Sequence, residues 1–520
     1  MSRRIRVFVP RDAAALSVGA DAVAAAILAE ADHRDADVHL VRTGSRGLLW
    51  LEPLVEVEVD GRRHAYGPVA AADVPGLFDA GFLAAGPHAL AHGPTEEIPW
   101  LMRQTRLTFA RCGIVDPLSP TDYCAHGGHT GLARAVRMEP AAIVAEITAS
   151  GLRGRGGAGF PTGLKWQTVH DAPAEEKFVC CNADEGDGGT FADRMIMEGD
   201  PFLLIEGMTI AGMAVGARHG WIYVRSEYPH AVATLRAAVA RAYAEGWLGG
   251  DVLGSGRVFD LEVRVGAGAY VCGEETAMLE SLEGRPGLVR AKPPLPALEG
   301  LFGRPTVVNN VLTLASVPVI LAEGAAFYRD FGAGRSHGTQ PFQLCGNVAR
   351  GGLVELAFGV PLATLVDDFG GGTASGRPVR AVQVGGPLGA WLAASDLGLS
   401  ADYETLAASG AMLGHGGIVV FDDTVDMGAM ARAAMAFCAE ESCGKCTPCR
   451  IGSTRARELL DRILDGRAGP AERALLDELC ALMRDASLCA LGGLAPLPVE
   501  SALARFPEDF TPEAAARRAR

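Results

Sequence analysis

Three cysteines spaced three residues apart near the C-terminal end constrain this chain more than any other feature. Residues 441–450 read ESCGKCTPCR and contain Cys443, Cys446 and Cys449. Two overlapping C-x-x-C units bring three sulfurs to one side of a short loop, which suits a cuboidal iron–sulfur cluster that takes a fourth ligand from elsewhere. The sequence therefore predicts a metal cluster in this loop.

The fourth ligand is expected downstream of the loop. Cys489, within SLCALGG, follows a helical pattern and lies in a glycine-rich turn, whereas Cys480 and Cys438 lie inside helical patterns. Zinc is the main alternative, but zinc sites are usually built from two separated pairs of ligands, and no second C-x-x-C pair is present. We therefore expect a [4Fe-4S] cluster, with the ligands Cys443, Cys446, Cys449 and Cys489.

Length and composition limit the remaining possibilities. The chain has 520 residues, enough for three or four domains, and its net charge of −15 argues against nucleic acid or an anionic membrane as the main partner. Arg6, Pro10 and Arg11 interrupt the first apolar run, so no signal peptide is expected, and the twelve cysteines are interpreted as cytoplasmic thiols. No apolar run is long enough to span a bilayer, so no membrane insertion is expected.

A glycine-rich segment at residues 151–166, GLRGRGGAGFPTGLKW, contains the pattern G-x-G-x-x-G. Glycines of this kind let backbone N–H groups approach a phosphate. The Rossmann context is missing because Pro161 and Gly163 stand where a helix would continue, and a tight turn in a flexible loop is the alternative. Two nearby positive charges favour phosphate binding. The residues concerned are Gly154, Gly156, Gly159, Arg155 and Lys165.

Polar residues follow a short apolar strand in KFVCCNADEGDGG. Asn182, Asp184, Glu185 and Asp187 come directly after this strand. Because α/β folds bind ligands at the carboxyl ends of their strands, this cluster predicts contacts with a heterocycle and with ribose hydroxyls. A divalent metal is the alternative, and the neighbouring glycine loop favours a nucleotide.

Two further segments carry polar groups that need partners. In GAYVCGEETAMLESL, Glu274 and Glu275 fall at the start of a helix, where capping explains one of them and the other is expected to face a ligand. In PTVVNNVLTL, Asn309 and Asn310 interrupt an apolar run, and buried amides require hydrogen-bond partners that a nucleotide could supply.

The order of predicted elements divides the chain into four domains. Residues 1–110 read as a small α/β unit whose hairpin turns at Asp60-Gly61, and residues 111–335 alternate strands and helices. Residues 336–424 read as a compact β-rich unit of the β-grasp kind, and residues 425–520 are helical and contain the cysteine loop. The predicted fold class is multidomain α/β.

Residues 1–110 resemble the thioredoxin-like ferredoxin module of flavin-dependent NADH dehydrogenases. In that module, cysteines after the first and second strands hold a [2Fe-2S] cluster. The corresponding loops here, RDAAALSVGA and RTGSRGLLW, contain no cysteine. We therefore expect a cluster-free domain that serves as a docking surface.

The motifs together resemble the flavin-bearing NADH dehydrogenase subunit of respiratory complex I and its relatives. GRGGAGFPTGLKW, CNADEGD, AYVCGEETAMLESLEGRPG, the KPP and NN segments and ESCGKCTPCR occur in that family in the same order, over residues 132–496 of this chain. Among the relatives, the chain most resembles the beta, or diaphorase, subunit of soluble NAD-dependent molybdenum formate dehydrogenase. The cysteine-free N-terminal module and the expected absence of a further C-terminal ferredoxin domain are the reasons.

The resemblance implies FMN and NAD(H) in a Rossmann-like central domain, beside the [4Fe-4S] cluster of the helical bundle. Asp187 is shorter than the glutamate often found at its position, and Leu295 replaces a frequent aromatic residue, so the adenine end of the NAD site departs from the family. The implied FMN residues are Gly154, Arg155, Gly156, Gly157, Lys165, Asn182, Asp184, Gly273, Glu274, Asn309, Asn310 and Thr313. The implied NAD residues are Phe160, Lys165, Glu185, Asp187 and Glu275, with Glu185 near the contact between flavin and nicotinamide.

The resemblance also implies an activity and partners. Hydride would pass between NAD(H) and FMN, and single electrons between FMN and the cluster, without a protein nucleophile or general base. The implied partners are a [2Fe-2S] thioredoxin-like gamma-type subunit and a molybdenum- and iron–sulfur-containing alpha-type subunit. Alternatives are the diaphorase subunit of an NAD-reducing hydrogenase, the NADH-oxidising subunit of complex I and, in a different class, a non-catalytic subunit that binds a nucleotide and structural zinc.

Overall fold

The computed structural model describes residues 4–518, which form three β-sheets with flanking helices, a small two-stranded hairpin and a C-terminal group of helices. The multidomain α/β prediction is confirmed at this level. Within the described residues no helix combines the length and the apolar character that crossing a bilayer requires.

The N-terminal sheet has the strand order β2-β1-β3-β4-β5, with β1 and β2 parallel and the other pairs antiparallel. The predicted hairpin between β3 and β4 is present, and Asp60 and Gly61 both have positive φ, as a tight two-residue turn requires. The elements are β1 (Ile5–Pro10), α1 (Ala13–Ser17), α2 (Ala20–His33), β2 (Val38–Thr43), β3 (Val55–Val59), β4 (Arg62–Tyr66), α3 (Val74–Asp79), β5 (Ala91–Pro94) and α4 (Pro99–Met102).

The central sheet is entirely parallel, in the order β8-β7-β6-β9. β7 lies on one side of β6 and β9 on the other, so the strand order reverses at β6, and the crevice at such a point is where α/β folds bind ligands. The elements are α5 (Pro120–Ala125), α6 (Thr130–Ala135), α7 (Pro140–Ser150), α8 (Thr162–Asp171), β6 (Phe178–Ala183), α9 (Ala192–Gly199), α10 (Pro201–Val215), β7 (His219–Val224), α11 (Pro229–Ala244), β8 (Asp260–Val265), α12 (Glu275–Leu282), α13 (Pro296–Glu299), β9 (Thr306–Asn310), α14 (Val311–Glu323) and α15 (Ala325–Arg329).

The third sheet has the order β13-β12-β16-β14-β15, with β12 and β16 parallel at its centre. This region is rich in strands, as the sequence predicted, and a π-helical segment spans Thr364–Phe369. The elements are the hairpin β10 (Gly332–Ala333) and β11 (Ser336–His337), then β12 (Thr339–Gly346), β13 (Gly352–Ala357), β14 (Val379–Val384), β15 (Ala390–Ala393), α16 (Tyr403–Ala408) and β16 (Gly417–Asp422).

The chain after β16 is helical, as predicted. Buried apolar side chains on successive helices, among them Met435, Leu460 and Met483, form a core of their own. The helices are α17 (Met427–Glu441), α18 (Thr447–Leu464), α19 (Pro470–Ala486), α20 (Ala490–Leu494), α21 (Pro496–Arg505) and α22 (Pro512–Arg518).

The loops that follow β1 and β2 pack directly against the central unit. A Cβ atom on Gly44 would lie 2.5 Å from the Cα atom of Gly199, so this approach requires glycine. The N–H of Ala13 donates to Glu198 Oε2 at 2.7 Å. The two loops in which a thioredoxin-like ferredoxin would hold its cluster are therefore used here for contacts within the chain.

Glu52 is a buried carboxyl group in this N-terminal unit. The Ser45 hydroxyl donates to Glu52 Oε1 at 2.5 Å and the Leu54 N–H donates to Glu52 Oε2 at 3.0 Å. Burial, reinforced by the nearby Asp12 carboxylate, raises the pKa of Glu52 to about 8. The folded protein thus retains a proton that the unfolded chain releases above its ordinary pKa of 4.5, so the contribution of Glu52 to stability falls as pH rises from 4.5 to 8.

We predict that Glu52→Gln increases stability at pH 8 relative to pH 5. A neutral amide does not have to be protonated in order to be buried, and the Ser45 hydroxyl can rotate to accept from it. The expected gain between pH 5 and pH 8 is on the order of 4 kcal/mol, since these three pH units lie between the unfolded and the folded pKa and each corresponds to about 1.4 kcal/mol. Thermal unfolding of the variant and of the unsubstituted protein from pH 5 to pH 8 measures it.

Asp32→Asn is the control, because Asp32 is an exposed carboxylate on α2. Its effect on Tm is expected to be the same at both pH values. Equal Tm differences for Glu52→Gln at pH 5 and pH 8 would contradict the prediction.

Candidate functional site

A cavity of about 270 Å³ lies where β6 and β9 end, close to the lower limit of about 300 Å³ for small-molecule sites. Residues of the glycine loop line it, and so do residues of α20, which follows Cys489. Nine of the residues predicted from the sequence line it: Gly156, Gly157, Asn182, Asp184, Glu185, Asp187, Gly273, Glu274 and Asn310.

The glycine loop can approach a ligand closely because Gly156 and Gly157 place no side chain at the wall and the adjoining Ala158 adds only a methyl group. Gly157 has φ +109°, a conformation that favours glycine. A Cβ atom on Gly156 would lie 3.0 Å from the Cβ of Asn310, on the neighbouring wall. A larger residue at either position would reduce the cavity, so these two glycines shape a cradle of the kind a flat cofactor needs.

The asparagines at the strand ends are fixed by the backbone. Asn182 Nδ2 donates to the Gly273 carbonyl at 2.7 Å, and Asn182 Oδ1 accepts from the Asp184 N–H at 3.1 Å. Asn310 Nδ2 donates to Asp193 Oδ2 at 2.7 Å. Asn182 and Asn310 are paired residues of adjacent parallel strands, which explains why distant parts of the sequence meet here.

The acidic wall is largely buried. The carboxylate of Glu185 accepts the N–H groups of Asp193 and Arg194, each at 3.0 Å, and so caps the N-terminus of α9. Burial raises the pKa of Asp184 to about 7. Burial also raises the pKa of Asp187, to which the Tyr270 hydroxyl donates at 2.8 Å. This wall can carry protons near neutral pH.

Seven of the FMN and NAD residues implied by the resemblance lie outside the cavity wall, as does Gly159 of the glycine loop. The Arg155 guanidinium is buried, donates to the Tyr328 hydroxyl and the His337 carbonyl at 2.8 Å, and points away from the cavity. The side chains of Thr313 and Asn309 are hydrogen-bonded within the protein. Thr313 Oγ1 accepts the Arg155 N–H at 2.8 Å. Asn309 Oδ1 accepts the Trp166 Nε1–H, also at 2.8 Å. The seven are Gly154, Arg155, Phe160, Lys165, Glu275, Asn309 and Thr313.

Lys165 and Glu275 belong to a charged network beside the cavity. Lys165 Nζ donates to the Val308 carbonyl at 2.9 Å and lies 3.5 Å from Glu275 Oε2. Lys292 Nζ lies 2.9 Å from Glu274 Oε1 and 3.3 Å from Glu275 Oε1. Burial would raise the pKa of Glu275, but Lys165 and Lys292 together lower it. Phe160 is nearby in sequence and is 48% exposed.

Sequence reasoning missed a wall of the cavity supplied by the third sheet and the helical region. Two glycine-rich turns, VGGPLG and LGHGG, contribute to it, and their glycines were the available signal. The third-sheet and helical regions contribute Gly385, Leu388, Met412, Gly414, His415, Ala490, Leu491 and Leu494, and the central unit adds Asp193 and Val271.

A second, small cavity is lined by the four cysteines predicted as ligands. Cys446 and Cys449 lie at the start of α18, Cys443 in the loop before it, and Cys489 immediately before α20. Burial, together with the neighbouring cysteines, raises the pKa of Cys449 to about 11. Such thiols become thiolates when cations are bound, which fits a metal cluster. Cys438 and Cys480 instead lie in the helical core.

Val271 and Leu491 line both cavities. Both side chains are apolar and buried. The two sites are therefore neighbours that share an apolar wall. A larger cavity of about 550 Å³ lies beside Arg153 and Leu164, but it contains none of the acidic or amide side chains described above.

Two family models match this chain. One is described as the Nuo51 FMN-binding domain and matches residues 147–319, and the other as the NADH-ubiquinone oxidoreductase-F iron–sulfur binding region and matches residues 429–513. An F-type subunit of NADH-quinone oxidoreductase from Rhizobium meliloti (strain 1021) is 45% identical over 397 residues, which are 76% of this chain and 94% of that protein.

The chain belongs to the family of F-type subunits of NADH-quinone oxidoreductase. It is an oxidoreductase subunit of the NADH dehydrogenase type that uses FMN, a [4Fe-4S] cluster and NAD(H). The predicted resemblance and the predicted cofactors are confirmed.

The family also includes hydrogenase subunits. NADP-reducing hydrogenase subunit HndC of Solidesulfovibrio fructosivorans is 45% identical over 408 residues, which are 78% of this chain and 83% of that protein. A crystal structure of an NAD⁺-reducing [NiFe]-hydrogenase in the H₂-reduced state is similar to this chain, with a TM-score of 0.69 and 33% sequence identity. The matched residues are 98% of this chain and 84% of the hydrogenase chain. These relatives are subunits of assemblies with other chains.

Serine substitutions test which cysteines hold the cluster. We predict that Cys489→Ser lowers the iron content and the visible absorption of the anaerobically purified protein by more than half, because Cys489 lines the cysteine cavity. Cys480→Ser is the matched control, since Cys480 is 1% exposed within the helical core. Loss of iron on Cys480→Ser and retention on Cys489→Ser would show that the fourth ligand is misassigned.

Proposed function

We propose that this chain is a diaphorase subunit in which the cavity at the ends of β6 and β9 holds FMN and the four-cysteine cavity holds the [4Fe-4S] cluster. The observation that carries the proposal is the shared wall of Val271 and Leu491. FMN, when bound, supplies hydride exchange with NAD(H) and single-electron exchange with an iron–sulfur cluster.

Each group of residues has a role in this proposal. The glycine loop admits the cofactor, while Asn182, Asp184 and Asn310 present hydrogen-bonding groups at the strand ends. Glu185 and Asp187 form the acidic wall on which the nicotinamide would bind, and Phe160, Lys165 and Glu275 lie towards the rest of the dinucleotide. The apolar pair Val271 and Leu491 keeps water from the space between the cofactors.

We propose the finer domain layout from the sheet orders. Parallel β1 and β2 beside an antiparallel hairpin support a thioredoxin-like domain in residues 1–110, and the parallel sheet supports a Rossmann-like domain in residues 111–335. Central parallel strands β12 and β16 support a β-grasp domain in residues 336–424, and the helices of residues 425–520 support a cluster-bearing bundle.

We propose that the chain belongs to a cytoplasmic NAD-dependent formate dehydrogenase, an assembly that converts formate and NAD⁺ to CO₂ and NADH. The N-terminal loops support this assembly, because they contain no cysteine and pack against Gly199 and Glu198. A [2Fe-2S] centre would therefore have to come from a separate gamma-type subunit. An alpha-type subunit would supply molybdenum and further clusters.

A hydrogenase diaphorase is the second candidate. The observation that favours it is that the NAD⁺-reducing hydrogenase structure matches 98% of this chain. So few residues are left unmatched that the match must include the N-terminal sheet. HndC, a hydrogenase subunit by name, points in the same direction.

Metal analysis of the native assembly distinguishes the two candidates. We expect the assembly that co-purifies with this chain to contain molybdenum or tungsten and to reduce NAD⁺ with formate. Nickel in place of molybdenum, with NAD⁺ reduction by H₂, would replace the formate proposal with the hydrogenase one. A membrane-bound assembly that contains neither metal would support complex I instead.

A further inference from the structure

His415 lies between the third sheet and the proposed FMN cavity, and sequence reasoning gave it no role. It is 5% exposed and lines the cavity. The preceding Gly414 pairs with Gly157 of the glycine loop. The His415 carbonyl accepts from Gln343 Nε2 at 2.9 Å and from Gln340 Nε2 at 3.2 Å, so buried side chains of β12 fix its backbone.

Both ring nitrogens of His415 face oxygen atoms, a backbone carbonyl on one side and two carboxyl groups on the other. Nδ1 lies 2.7 Å from the Arg155 carbonyl oxygen, and Nε2 lies 3.1 Å from Asp193 Oδ1 and 3.3 Å from Glu185 Oε1. Nδ1 therefore carries a hydrogen, since a carbonyl oxygen can only accept, and the two carboxylates beside Nε2 favour a second hydrogen there, which makes the ring an imidazolium. Burial would lower the pKa of His415, but the adjacent Asp193 and Glu185 carboxylates raise it well above 6.5.

The imidazolium balances one of two buried carboxylates. Glu185 is otherwise held by two N–H groups of α9 and by the Tyr228 hydroxyl, which donates at 3.1 Å, and Asp193 by the amide of Asn310. These donors are neutral. With both carboxyl groups ionised, the three side chains together carry a charge of −1, and without His415 this would become −2 in a buried site.

A metal ion is the alternative for the same three side chains. Zinc bonds to histidine nitrogen and carboxylate oxygen are about 2.0–2.2 Å long, so two ligand atoms of one ion lie roughly 3.3–3.5 Å apart. The 3.1 and 3.3 Å separations from Nε2 to the two carboxylates suit direct ion pairs, and they are also close to the spacing of metal ligands. Zinc analysis of the purified protein therefore distinguishes the two arrangements.

We propose that His415 is a positioning residue of the hydride-transfer site. Its imidazolium joins the carbonyl of the glycine loop to Glu185 and holds that carboxylate at the cavity wall. Its positive charge also favours the reduced cofactor, which is more negatively charged than the oxidised one. The inference rests on the proposed position of FMN in this cavity.

The FMN midpoint potential tests the charge balance. We expect His415→Gln to lower the ratio of affinities for reduced and oxidised FMN about tenfold, which is about 30 mV for a two-electron couple. Asp193→Asn alone removes a negative charge and is expected to shift the ratio about tenfold in the opposite direction. The double variant restores the charge of −1 and is expected to return the ratio to within threefold.

A purely structural role for His415 would not produce this rescue. Unchanged potentials in both single variants, or a double variant shifted further than His415→Gln, would overturn the proposal. Stoichiometric zinc that is present in the unsubstituted protein and lost in His415→Gln would also overturn it. If His415→Gln fails to fold, the upward shift predicted for Asp193→Asn decides the question.

Gly156→Val separates failure of this inference from failure of the proposed FMN site. Its side chain would enter the cavity beside Asn310, so it is expected to release FMN. Retention of FMN by Gly156→Val would contradict the proposed site. Release of FMN by Gly156→Val, together with unchanged potentials in the His415 and Asp193 variants, would contradict only the role of His415.

Discussion

The packing of the segment after Cys489 against the central α/β unit is the contact on which the site depends. Leu491 follows Cys489 by two residues and lines the cysteine cavity and the cavity at the strand ends alike. A Cβ atom on Gly492 would lie 2.8 Å from the Cβ of Cys449, so the segment also approaches the cysteine loop closely. Displacing it would open both cavities together.

Two further contacts fix the helical region on the central unit. The Tyr270 N–H donates to Glu441 Oε2 at 3.1 Å, and the Tyr270 ring packs edge-on against Phe437 with centroids 4.8 Å apart. Tyr270 therefore links α17 to the acidic wall, where its hydroxyl donates to Asp187. Tyr270 therefore helps to hold α17 and the cysteine loop that follows it, and it also orders Asp187 in the acidic wall on which the nicotinamide is proposed to bind.

The two sides of the cavity differ in polarity, and the fold explains the difference. Parallel strands end in polar residues because their carboxyl ends leave the buried sheet, and the N-terminus of α9 satisfies the carboxylate of Glu185 there. The side towards the cysteines is apolar, with Val271, Leu491 and Leu494. In the proposed function, hydride exchange takes place at the polar side of the cavity. One-electron exchange with the cluster takes place across the apolar side, which excludes water.

The sequence predicted local patterns well and long-range positions only in part. A short apolar run located β6, the Asp60-Gly61 pair located the hairpin of β3 and β4, and the C-x-x-C spacing located the cysteine loop, because these signals are local. Arg155 was expected at the cavity because its charge adjoins the glycines, yet its guanidinium is used by Tyr328 and His337. His415 and Gly385 belong to turns more than 200 residues from the glycine loop, and no local pattern reports which cavity such turns approach.

Reduction of the cluster in protein depleted of FMN tests the account most directly. We expect NADH to leave the [4Fe-4S] signal unchanged under anaerobic conditions when FMN has been removed, and to reduce the cluster once FMN is restored, while dithionite reduces it in both cases. Equal rates of cluster reduction by NADH with and without FMN would contradict a path through the cavity beside Val271 and Leu491.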